Sequence, residues 1–85
     1  MTTVNLTITN AEGLHARPAT LVVSQAAKFK SEIKLQKKDK VVNAKSIMGL
    51  LSLGITQGEE ITITAHGEDE AAAIDALKEL ILSFS

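Results

Sequence analysis

Ile61, Ile63 and Ala65 alternate with Thr62, Thr64 and His66, and Val4, Leu6 and Ile8 alternate with Asn5, Thr7 and Thr9. A period of two places every apolar side chain of such a run on one face of a strand. Both runs therefore belong to a sheet with one oily face and one face in water. Such a sheet needs an apolar cover on its inner side. The cover is legible from a different period. From Ala16 to about Lys28, the residues Ala19, Val22, Val23, Ala26 and Ala27 fall at helical spacing, and Pro18 is tolerated in the first turn. After Asp69, a good N-cap, Glu70 sits near the positive end of a helix that gathers Ala73, Ile74, Leu77, Leu80, Ile81 and Phe84 on one broad face. Ile33 and Leu35 alternate with polar residues in a further strand. The turn Lys37-Lys38-Asp39-Lys40 leads into a short strand at Val41-Val42, although no glycine supports a tight primed turn there. Ser46 precedes a short apolar helix, Ile47–Leu53. The order is β-α-β-β-α-β-α, which predicts an α+β open-faced sandwich.

Composition narrows what that sandwich can be. A chain of 85 residues suits one domain, 1–85, with no linker or repeat. Hydrophobic residues make up 45% and aromatic residues 2%, with no Trp and no Tyr, so the core is aliphatic. With no cysteine, disulfides, a cysteine nucleophile and thiolate metal sites are excluded. A cytoplasmic location is expected, since a small secreted domain usually carries such staples. No apolar run approaches the roughly 20 residues that span a bilayer, and the N-terminus lacks the pattern of a signal peptide. A formal net charge of −1 gives no cationic field for nucleic acid. Lys37, Lys38 and Lys40 form a local cluster that reads either as a solvated turn or as a basic patch for an acidic partner. His66 reads as a solvated residue at a strand end. No metal and no cofactor are expected.

The stretch GLHARPAT, Gly13 to Thr20, carries the chemistry. Two readings of His15 stand side by side. One is a polar loop residue or weak helix cap. The other starts from the unpaired N–H groups and partial positive charge of a helix start, which suit an anion. A phosphoryl group on a ring nitrogen of His15 would face the amides of Ala16 and Arg17, and the Arg17 guanidinium would supply forked donors to the same oxygens. Pro18 stiffens the turn that holds them. A small histidine-dependent enzyme is the weakest reading. It needs an orienting group and a cleft, and Glu12 is the only carboxylate close in sequence.

GLHARPAT together with AKSIMGLLSLG resembles the HPr family, the histidine-containing phosphocarriers of the bacterial sugar phosphotransferase system. The resemblance covers nearly the whole chain. It implies four antiparallel strands with three helices on one side, and a stoichiometric carrier rather than an enzyme. It implies that His15 accepts phosphate on Nδ1 from phosphorylated enzyme I, with Arg17 pairing to the phosphate, and passes it to sugar-specific IIA proteins or domains. It implies a monomer that contacts neither nucleic acid nor the membrane interior directly.

Ser46 also has two readings. On its own it is an N-cap. KSIMG around it resembles the version from low-GC Gram-positive bacteria, which implies phosphorylation by the HPr kinase/phosphorylase and binding to the catabolite control protein. A phosphoserine at a helix start is stabilised by the dipole and adds about −1.5 to −2 charges to the surface. The short helix is apolar almost all round, so Ile47, Met48 and Leu51 either finish the core or stay partly exposed. The resemblance implies that Ala16, Thr20, Ile47, Met48 and Leu51 ring His15 as a docking face. Some relatives replace the histidine with glutamine and act only as regulators, and a nitrogen-related paralogue keeps it. His15 argues against the first, and the KSIMG context against the second.

Overall fold

The computed structural model describes residues 1–84 and contains the expected seven elements. They are β1 (Thr2–Thr7), α1 (Ala16–Ala26), β2 (Glu32–Lys37), β3 (Lys40–Asn43), α2 (Ile47–Leu53), β4 (Glu60–His66) and α3 (Glu70–Leu82). The strands form one antiparallel sheet in the order β1-β4-β2-β3. Leu6 lies opposite Ile61, and Leu35 lies opposite both Ile63 and Val42. This register stacks the apolar positions of all four strands on the inner face. Leu6, Ile33, Leu35, Ile61, Ile63 and Ala65 are buried there, against Ala19, Val22, Leu50, Ala73 and Leu77 from the three helices. The other face carries Thr3, Asn5, Thr62 and Thr64, and Thr62 Oγ1 donates to Asn5 Oδ1 at 2.7 Å. The fold is the open-faced sandwich that the two periodicities require.

The differences from expectation each have a specific contact as their cause. Helix α1 ends at Ala26 rather than near Lys28, and Ala27 is its C-cap. Ile8 lies beyond β1 yet is fully buried, because its backbone pairs with the loop before β4: Ile8 N donates to Glu59 O (2.9 Å), and Gly58 N donates to Ile8 O (2.7 Å). Asp69 stands at the start of α3, but its side chain does not cap that helix. Its carboxylate instead accepts from Lys30 N (2.8 Å), Ser31 N (2.9 Å) and Ser31 Oγ, tying the α1–β2 connection to α3. The Ser31 hydroxyl, then the Lys30 amide, hold the Asp69 carboxyl below its usual range. Glu70 serves the start of α3 by accepting from Gly67 N, and it also binds Thr2 Oγ1 and the N-terminal ammonium.

The lysine-rich hairpin has a structural task. Lys37 pairs with Lys40 across a two-residue loop in which Lys38 takes φ +56°. Lys37 Nζ donates to the carbonyls of Leu53 and Gly54, both at 3.1 Å, and pairs with Glu59 at 2.9 Å. Lys40 Nζ reaches Ser52 O at 3.1 Å. Two cations thus close the negative end of α2, a helix too short to be stable alone.

Candidate functional site

The site begins with a turn. Gly13 N donates to Asn10 O (3.1 Å), closing the four residues Asn10–Gly13, and Asn10 Nδ2 donates to Gly13 O (2.8 Å). Gly13 has φ +64°, and a Cβ there would lie 2.3 Å from Ile55 O, so only glycine fits. Leu14 is buried and donates its N–H to the same Ile55 carbonyl at 3.1 Å. The chain leaves this anchored loop with His15 as the N-cap residue of α1, in extended conformation (φ −105°, ψ 158°).

His15 is exposed, and its side chain makes no capping hydrogen bond. The weak-cap reading of His15 therefore does not hold. The next residue, Ala16, adopts φ +41°, a left-handed conformation that a non-glycine residue takes only at a cost. Among the described residues, neither the Ala16 nor the Arg17 amide donates a hydrogen bond. Pro18 follows in the first turn and is itself buried. The result is a helix start with open donors, an exposed imidazole at its N-cap position and, among the described residues, no side chain capping it. Arg17 is also exposed and lines a depression of about 350 Å³ with Asn10, Glu12, Pro18, Leu21 and Phe84. No hydrogen bond joins Arg17 to His15 among the described residues.

Helix α2 packs against α1 and presents the second set of residues. Ser46 is its N-cap, and its Oγ accepts from Gly49 N at 3.1 Å. Met48 is 75% exposed and Leu51 41%, while Ile47 is half-buried against the core. Ala16 and Thr20 are exposed on α1, and the Thr20 hydroxyl returns to Ala16 O at 3.0 Å. The five residues therefore lie on two touching helices, with Ile47 divided between surface and core. Sequence reasoning missed Asn10, a residue only 4% exposed. Its only signal is an Asn at the first position of a turn that ends in glycine.

The family model described as the PTS HPr component phosphorylation site matches residues 2–83. Among solved structures, an HPr from Thermoanaerobacter tengcongensis is 53% identical, with a TM-score of 0.96, covering 98% of this chain and 93% of that one. A phosphocarrier protein HPr from Bacillus anthracis is 42% identical with a TM-score of 0.90, covering 94% and 95%. Crh, a catabolite repression protein of Bacillus subtilis whose crystal holds a domain-swapped dimer, is 44% identical with a TM-score of 0.79, covering 94% and 92%.

Proposed function

This chain belongs to the HPr family, whose members are phosphocarriers of the phosphotransferase system and not enzymes, and from that and the site's geometry we propose that His15 is the carrier residue. Phosphorylated enzyme I is the donor in this reading, and sugar-specific IIA proteins or domains are the acceptors. In this reading, His15 attacks phosphorus through the Nδ1 lone pair. The donor's bond to phosphorus breaks as the new P–N bond forms, and the transferred group brings its negative charge to the start of α1. The Ala16 and Arg17 amides meet it there, and the Arg17 guanidinium adds a charge-assisted pair. The observation that carries this reading is the uncapped helix start behind His15, in a chain matched to the family from residue 2 to 83.

The exposed face of Ala16, Thr20, Met48 and Leu51, with the edge of Ile47, is the proposed docking surface. Met suits a surface that must accept several partners in turn. Transfer requires His15 to stay accessible, so the proposed working state is a monomer in the cytoplasm, and size-exclusion chromatography with light scattering checks the monomer.

Crh among the relatives favours a second role, regulatory phosphorylation of Ser46 by an HPr kinase/phosphorylase and recognition by a catabolite control protein. Ser46 Oγ already lies against a helix-start amide. A phosphate there keeps the helix and adds charge beside Met48 and Leu51. A reconstituted relay tests the main reading: phosphoenolpyruvate, enzyme I and a IIA protein, with and without this chain. Phosphate reaching the IIA protein only when the chain is present supports it. A relay that runs with a known carrier but not with this folded chain refutes it.

A further inference from the structure

We propose that Asn10 is a positioning residue for phosphoryl transfer, acting by locking the Gly13–Leu14 peptide unit from which His15 is projected. The inference rests on the reading that His15 carries the phosphoryl group. Among the described residues no side-chain hydrogen bond holds the imidazole, so the backbone leading into Ala16 sets its place. One peptide plane governs that path. Its carbonyl, on Gly13, accepts from Asn10 Nδ2 at 2.8 Å, and its N–H, on Leu14, donates to Ile55 O at 3.1 Å. Both ends are pinned in buried surroundings, since Gly13 and Leu14 are buried and Asn10 is 4% exposed.

The lock has a physical reason to exist. Gly13 is required because Ile55 O leaves no room for a Cβ, but a glycine also offers the least resistance to rocking of the following peptide plane. The Asn10 amide restores the stiffness that glycine gives up. Without that donor, the Gly13 carbonyl loses its partner and the plane is held at one end only. Misplacement of a reacting group by about 1 Å costs on the order of 100-fold in rate, so a smaller rocking motion is felt in transfer and not in binding. Asn10 also lines the same depression as Arg17, so a shift of this turn reshapes that depression.

The test compares Asn10→Asp, which keeps size and shape but removes the donor at neutral pH, with Asn10→Ala and with Ala72→Gly, a destabilising control on the exposed side of α3. The first readout is amide hydrogen exchange at Leu14, which needs no phosphate. The lock predicts exchange about 10-fold faster in both Asn10 variants and unchanged in Ala72→Gly. It also predicts that the difference between Asn10→Asp and wild type, compared at the same pH, narrows when the solution is acidified enough to protonate the new carboxyl, which then donates. Wild-type exchange at Leu14 in Asn10→Asp overturns the proposal. The second readout is steady-state transfer from enzyme I, in which kcat falls about 10-fold in both Asn10 variants with KM within about two-fold. An equal fall in Ala72→Gly, or a change in KM alone, also overturns it. A wild type that takes no phosphate defeats the carrier reading, and the Leu14 exchange still decides the lock.

Discussion

Helices α1 and α2 start in opposite ways. At α2, the Ser46 hydroxyl accepts from Gly49 N, and the end is closed. At α1, His15 occupies the same position with no capping bond, Ala16 sits at φ +41°, and two amides remain without partners among the described residues. A closed start stabilises its helix and leaves little for a ligand. An open one costs stability and keeps donors for a visiting anion. In this account, the open start is the carrier site and the closed one is the place where a modification is tolerated without unfolding.

His15→Ala breaks the comparison most severely. It is expected to abolish phosphoryl acceptance from enzyme I while the thermal midpoint changes little, because the ring is exposed and makes no capping hydrogen bond among the described residues. Mass spectrometry with differential scanning calorimetry checks both halves. Next in size is Gly13→Ala, which forces a Cβ toward Ile55 O at a left-handed φ. A loss of about 2–5 kcal/mol is expected in urea unfolding. Ser46→Ala removes the cap of α2 and should cost about 1 kcal/mol by the same method. Ser46→Asp places a carboxylate at the helix start, and it should hold stability near wild type while slowing transfer from enzyme I.

The smallest effects appear in acid. The Lys37 ammonium, then the Thr56 amide and hydroxyl, pull the Glu59 carboxyl down to about 2. The N-terminal ammonium, then Thr2 and the Gly67 amide, do the same for Glu70, also to about 2. A carboxyl depressed in the folded state contributes stability that is present above its unfolded value, near 4.3, and is lost as pH falls toward 2. Wild type should therefore lose stability progressively from about pH 4.5 to 2. Glu59→Gln should show a shallower loss over that window, as followed by thermal melts across pH.

The elements were legible because burial imposes period on sequence. The alternation through Ile61–His66 and the helical spacing through Ala19–Ala26 each state which face is inside. Ser46 was legible as a cap because its partner, Gly49, is three residues away. Asp69 takes the expected N-cap position of α3, but its side chain is engaged elsewhere, for the converse reason. Its partners, Lys30 and Ser31, are 39 and 38 residues distant and win the carboxylate from the nearby amides. The hairpin lysines were ambiguous for the same cause, since their targets are carbonyls of α2, which no local pattern announces. At the site, GLHARPAT gave His15 and Arg17. The support beneath them was only partly legible: the Asn10 donor is a local contact three residues away, in a turn that ends in glycine, whereas the approach of Gly13 to Ile55 depends on how the distant loop before β4 is folded over it.

The central claim is that phosphate arriving from enzyme I goes to the open helix start. Phosphorus–nitrogen correlation NMR on uniformly nitrogen-15-labelled protein, charged by enzyme I and phosphoenolpyruvate, tests it most directly. A single acid-labile adduct is expected, with phosphorus coupled to Nδ1 of His15, and Ser46 unmodified. Phosphorus on His66 or on a hydroxyl, or no adduct with an enzyme I that charges another carrier, would contradict it.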